Sequence, residues 1–165
     1  MNIRKAKMED LSEIVAIEAA CFPVSEAASR EFFEGRLAVY SDYFWILEED
    51  DKNGNKKIVS FVNGMVTDSP NLMDEMYENP DLHNEKGDWQ MVFGVNTLSE
   101  YRKRGYAEKL INELILDAKN KGRKGVVLTC KEKLVPYYSK FGFENKGISE
   151  STHGGAVWYE MRLAF

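Results

Sequence analysis

The stretch Trp89 to Ala107, WQMVFGVNTLSEYRKRGYA, runs directly into the amphipathic segment Glu108 to Ala118, and no other feature constrains the fold as strongly. Met91 to Val95 reads as an apolar strand, a short polar link follows, and Arg102-Lys-Arg-Gly105-Tyr-Ala107 then opens a helix. A glycine that lets the backbone turn, free amides at a helix start and flanking cations are the parts of an anion site. The positive end of the helix faces such a ligand. A phosphate or pyrophosphate cradle is therefore expected, although the same residues also fit a plain solvated connection between a strand and a helix. With a single glycine and no Gly-Lys-Ser/Thr, the turn is neither a Walker loop nor a dinucleotide fingerprint.

The chain of 165 residues is the length of one domain with a single core. No apolar run approaches the ~20 residues of a membrane span, and MNIRKAKMED lacks the apolar core of a signal peptide. A cytoplasmic protein without membrane or nucleic-acid partners is expected, and a homodimer is compatible with the chain. Cys21 and Cys130 are far apart and His83 and His153 are the only histidines, so neither a disulfide framework nor a metal site is expected. The net charge of −5 hides a division. Residues 68 to 88 carry seven carboxylates against Lys86, whereas residues 101 to 140 carry eleven Lys/Arg against four carboxylates. The basic half suits an anionic cosubstrate and the acidic loop a cationic acceptor; two solvated faces are the alternative.

Along the chain, residues 2 to 6 read as a strand and the apolar spacing after Asp10 as a helix to about Ala20. Pro23 ends that helix and Ser25 is the expected cap of a second one carrying Phe32 and Phe33. Tyr43 to Glu48 and Ile58 to Val66 form a hairpin about Asn53-Gly54, with Gly64 marking a bulge or close backbone contact. The 68 to 88 region, too long for an ordinary connection, reads as a lid or binding loop. Strand 89 to 95, the helix ending before Gly122, the buried run Val126 to Leu128, a short helix Leu134 to Lys140 and a terminal strand pair complete the order.

Two motifs carry a family resemblance. Arg-x-x-Gly-x-Ala at 102 to 107 resembles the acetyl-CoA pyrophosphate loop of the GNAT-type N-acetyltransferases, usually written Gln/Arg-x-x-Gly-x-Gly/Ala. Tyr138-Ser-Lys-Phe-Gly142-Phe143 resembles the Tyr-x-x-x-Gly-Phe element after the fifth strand of that superfamily. Leu128-Thr-Cys130 and Leu134-Val-Pro136 are similar to the aralkylamine (serotonin) N-acetyltransferase branch. The resemblance covers the whole chain and implies an α/β GNAT acyl-CoA N-acyltransferase fold in one domain, 1–165. Its sheet is mixed, mostly antiparallel and seven-stranded, splayed between strands four and five and flanked by about four helices. It further implies acetyl-CoA as cosubstrate, with the pyrophosphate on the amides of Arg102, Lys103, Arg104, Gly105, Tyr106 and Ala107. The pantetheine arm would lie along the backbone of Phe93, Gly94 and Val95.

The reaction so implied is direct attack of a neutral primary amine of a small molecule on the acetyl thioester, in a ternary complex. The departing thiolate, whose conjugate acid has a pKa of about 8.5, is matched by a tyrosine donor at about 10, and the motif assigns that role to Tyr138. A tyrosine on a short amphipathic helix also reads as a packed, hydrogen-bonded residue. The aralkylamine branch carries two histidines on strand four at the positions of Trp89 and Met91, which accept no proton. A base acting through water is therefore sought at Asp88 or Glu26, with Glu18 as a third carboxylate. Phe22, Pro23, Trp89 and Met91 are the expected acceptor contacts. A protein or peptide N-acetyltransferase and a non-catalytic acyl-CoA-binding module are the alternatives.

Overall fold

The computed structural model describes all residues, 1–165. Strand β1 (Asn2–Lys5) leads to helix α1 (Leu11–Cys21), whose buried stripe is Leu11, Ile14, Ile17 and Glu18. Helical spacing thus carries a carboxylate onto the core-facing side. At Phe22 the backbone is extended, as a residue before proline must be. The amides of Glu26 and Ala27 both donate to the Pro23 carbonyl, closing a tight turn that keeps Ser25 out of a helix start. The cap is instead Ser29, whose hydroxyl accepts from the Phe32 amide at 3.2 Å and opens α2 (Arg30–Tyr40).

The remaining elements are β2 (Phe44–Asp50), β3 (Lys56–Asn63), β4 (Val66–Thr67), α3 (Glu75–Glu78), β5 (Trp89–Val92) and β6 (Gly94–Thr97), then α4 (Tyr106–Asn120), β7 (Gly125–Cys130), α5 (Val135–Ser139), β8 (Glu144–Ile148) and β9 (Tyr159–Ala164). They form two sheets, ordered β1-β2-β3-β6 and β4-β5-β7-β9-β8, in which only the β5–β7 pair is parallel. The expected strands 58–66 and 89–95 are each broken once, at Gly64–Met65 and at Phe93, so seven strands become nine segments.

The break at Phe93 shapes the molecule. β5 pairs with β7 as far as Val92 opposite Leu128, whereas β6 pairs with β3 from Gly94 opposite Asn63 to Thr97 opposite Ser60. At the switch the Phe93 amide donates to the Asn63 carbonyl at 2.7 Å. Beyond it the two sheets diverge, and Thr129 and Cys130 at the end of β7 have no strand partner on the β6 side. One core of 33 buried residues spans both sheets, and α4 seals it with Leu110, Ile111, Leu114 and Ala118.

The acidic 68 to 88 segment is tied down at several points. Arg36 Nη2 donates to the Tyr77 carbonyl at 2.9 Å, Arg123 Nη1 to the carbonyls of Glu85 and Gly87 at 2.8 Å each, and the Leu72 amide to Glu160 at 3.1 Å. It is a fixed cover over one end of the cleft. No helix is long and apolar enough to cross a membrane.

Gly64 meets the close backbone approach its position suggests: a Cβ there would lie 1.8 Å from the Met91 carbonyl oxygen. Gly64→Ala should therefore cost about 3 kcal/mol or more, since backbone rather than a mobile side chain must give way. Urea unfolding followed by circular dichroism reads this as a lower midpoint at unchanged slope; an unshifted midpoint would mean the two strands do not approach so closely.

Candidate active site

Between the diverging arms lies a cavity of about 100 Å³. Phe93, Gly94 and Val95 line one arm and Leu128, Thr129 and Cys130 the other, with Glu18 and Tyr138 also on the wall. Tyr138 follows β7 on α5, held edge-on to Tyr137 and Phe143 at 5.1 and 6.1 Å. It is buried, and its side chain lines the cavity. Burial raises its pKa above the ordinary tyrosine value, so the phenol enters any reaction protonated. The neighbouring Cys130 thiol is pushed up to about 11 by burial, which suits a strand-end packing residue and not a nucleophile.

The basic-glycine turn leads to the same region. Lys103 and Gly105 both take left-handed backbone, with φ of 63° and 78°. For a residue with a Cβ this costs roughly 1–2 kcal/mol. None of the amides from Lys103 to Glu108 donates to a protein acceptor, leaving a helix start with its donors outward. Arg102 Nε donates to the Thr97 carbonyl at 3.0 Å and Arg104 Nη2 to the Glu100 carbonyl at 3.1 Å, while the Tyr106 hydroxyl reaches Glu49. These side chains brace the turn as well as charging it. The β6 edge that faces away from β3 is unpaired.

A second cavity, of about 230 Å³, lies between α1, α2 and the acidic cover. It shares Glu18, Glu26, Tyr77, Phe93, Gly94 and His153 with the first. Glu18 is 6% exposed; Oε2 accepts from the Ala28 amide at 2.9 Å, and the Asn96 side chain also faces the carboxylate. Burial raises its pKa, against the opposing pull of the Ala28 amide and the Arg36 charge. Glu26 is engaged by Lys131, at 2.9 Å. His153 Nε2 donates to the Glu26 carbonyl at 2.7 Å, and its ring stacks on Tyr77 at 4.9 Å. The Tyr77 hydroxyl, pushed up to about 12 by burial, reaches Thr129 Oγ1 at 3.2 Å and so spans the cleft.

The structure thus brings together Tyr138, Glu26, Phe22, Phe93, Gly94 and Val95 from the sequence reading. Pro23 sits in the turn behind Phe22 and lines neither cavity. Asp88, Trp89 and Met91 are placed elsewhere: Asp88 and Trp89 lie at the end of β5 away from the splay, and the Met91 side chain points into the core. Asp88 pairs with Lys124 at 3.3 Å, Trp89 packs beneath Arg162, and Met91 is fully buried in the core. The sequence reading did not single out Tyr77, Arg36, Asn63 or His153 as residues of the cavity walls. No local pattern marks them, since each is brought in by tertiary packing.

The match to known proteins agrees with this geometry. Residues 11–143 match the Acetyltransferase (GNAT) family, and the chain belongs to that family. Its members are generally acyl-CoA-dependent N-acyltransferases. The loading GNATL domain of CurA from Lyngbya majuscula is similar in fold, with a TM-score of 0.82 at 20% identity over 99% of this chain and 96% of that one. Arabidopsis thaliana NAA60 in complex with a bisubstrate analogue gives 0.75 at 20% identity over 99% and 98%. A GNAT family acetyltransferase from Brucella melitensis in complex with acetyl-CoA gives 0.61 at 21% identity over 99% and 87%. No curated protein matches the chain in sequence.

Iodoacetamide should modify the folded protein at Cys21 well before Cys130. Burial holds the Cys130 thiol up at about 11, so much less of it is thiolate at neutral pH than of an ordinary cysteine. Peptide mapping after a short exposure reads the order; rapid labelling of Cys130 would return it to consideration as a nucleophile.

Proposed function

We propose that the protein is an acetyl-CoA-dependent N-acetyltransferase acting on a primary amine of a small molecule. The observation that carries this is one cavity, at the mouth of the splay, with a buried phenol on one wall and a buried carboxylate on another. The free amides of Lys103 to Ala107 bind the pyrophosphate, with Arg102, Lys103 and Arg104 adding charge. The pantetheine arm lies against Phe93, Gly94 and Val95 as an added strand. That arrangement delivers the thioester between Glu18 and Tyr138.

Glu18 takes the proton lost by the attacking ammonium, its raised proton affinity making it a better base than an exposed carboxylate. Glu26 is held by Lys131 and contributes negative charge to the acceptor cavity. With the amine neutral, its nitrogen attacks the thioester carbon, the C–S bond breaks, and Tyr138 hands its proton to the departing sulfur. Glu18, Glu26, Asp74 and Glu78 all line the acceptor cavity, which favours a cationic amine. The cover formed by Tyr77 across to Thr129 limits the room available and supports a small acceptor over a polypeptide.

An amine panel with free thiol detection tests this. Tyr138→Phe should lower kcat by roughly 10²-fold with acetyl-CoA affinity changed by less than about 3-fold; equal turnover would remove Tyr138 from the acid role. The pH profile supplies a separate check. A carboxylate with a raised pKa is ionised only above that value, so activity should fall as pH drops through a limb lying above the ordinary glutamate range. Glu18→Gln should abolish that limb, and a limb unchanged in the variant would assign the base elsewhere.

A further inference from the structure

Arg36 is a buried cation without a counter-ion. It is 3% exposed, on the inner face of α2 with Phe33, Leu37 and Tyr40, and a guanidinium keeps its charge at any ordinary pH. Its carbon centre packs over the rings of Phe33 and Phe93, 5.1 and 4.9 Å from their centroids, which holds the group in place. Nη1 donates to Asn63 Oδ1 at 3.0 Å and Nη2 to the Tyr77 carbonyl at 2.9 Å, and both of these acceptors are neutral. Nε has no protein partner. Arg4, Arg123 and Arg162 each pair with a carboxylate, and Arg36 pairs with none. A charge buried in this way is costly until a group of opposite sign meets it.

The side chain lines the cavity of about 230 Å³, and Asn63, on the same wall, also leaves its Nδ2 donor without a protein partner. The carboxylates of that cavity are engaged elsewhere. Glu26 is held by Lys131 at 2.9 Å, Asp74 accepts from the Ser151 hydroxyl and from the Thr152 amide at 3.1 Å, and Glu78 is exposed to solvent. Glu18 is held by the Ala28 amide at 2.9 Å and interacts with Arg36 only through space. We propose that the acceptor is an amino carboxylate, a small molecule whose amine is acetylated and whose free carboxylate docks on Arg36 and Asn63. This rests on the acetyl-transfer reading above and narrows it. The carboxylate accepts charge-assisted hydrogen bonds from the N–H groups of the guanidinium that the protein leaves unused, and Asn63 adds a neutral donor. Glu18 and Glu26 also line the thioester cavity, whereas Arg36 and Asn63 line only the second one. The ammonium end of such a zwitterion therefore faces the thioester, and its carboxylate end points away from it.

Matched acceptors test the site: 4-aminobutyrate against butylamine, whose amines are similarly basic, and alanine against alaninamide. In at least one pair kcat/KM should favour the carboxylate-bearing member by about 10-fold or more, the usual strength of a hydrogen bond to a charged group. Asn63→Asp should bring that ratio to within about 2-fold. Its carboxylate keeps the bond from Arg36 Nη1, supplies the missing counter-ion and repels the ligand. Arg36→Met should collapse the ratio as well. Because each ratio is taken on one protein sample, it does not depend on how much of a variant is folded. Equal kcat/KM within both pairs, a ratio unchanged in the two variants, or a complex with the carboxylate seated away from Arg36 would each overturn the proposal. If no amine releases thiol, the acetyl-transfer reading falls instead, and calorimetric titration of 4-aminobutyrate and alanine in the presence of coenzyme A still decides the site. Binding of either one that is lost in Asn63→Asp upholds it; binding of neither overturns it.

Discussion

Everything in the site depends on a change of hydrogen-bonding partner within one chain segment. Up to Val92 the segment belongs to the sheet with β7; after Phe93 it belongs to β3, and the hydrogen bond from the Phe93 amide to Asn63 fixes the crossover. Backbone groups in a sheet interior must be paired, so a strand that leaves β7 also leaves one edge of itself and one edge of β7 unpaired. The resulting gap is flanked by main chain on both sides, which suits it to an extended, amide-bearing ligand. The core pays little for the opening, because α4 and the aromatic cluster of Phe33, Phe44 and Phe61 keep both sheets bound behind it.

That geometry explains why chemistry collects where it does. Glu18 reaches the gap only because helical spacing sets it on the buried stripe of α1, and Tyr138 only because a short helix with Pro136 in its first turn begins five residues after β7. Both are stripped of water, and burial moves both in the direction that keeps a proton: the carboxylate becomes a stronger base and the phenol stays protonated. A buried carboxylate and a buried phenol therefore face one volume.

Most of the fold was legible in the sequence because the signals were local. The period of α4, the continuous apolar run of β7, the Asn53-Gly54 turn and the two glycine motifs each act over a few residues. Ser29 replaced Ser25 as a helix cap because two amides converge on the Pro23 carbonyl, a competition that propensity does not reveal. Trp89 and Met91 sit on the expected strand, yet the strand switches partners after them, so they belong to the closed end of the sheet and not to the cleft. The carboxylate site depended on distance in space: Glu18, Asn63 and Asn96 are separated by scores of residues, and nothing short of the packed fold sets them side by side.

The bridge from Tyr77 to Thr129 ties the acidic segment to the end of a core strand. The basic-glycine turn and the acidic cover lie on different segments and share no residues, so substitutions in 68 to 88 can reshape one end of the cleft without disturbing the outward amides of the other. A scaffold divided in this way is suited to remodelling one mouth of its cleft while the other is left intact.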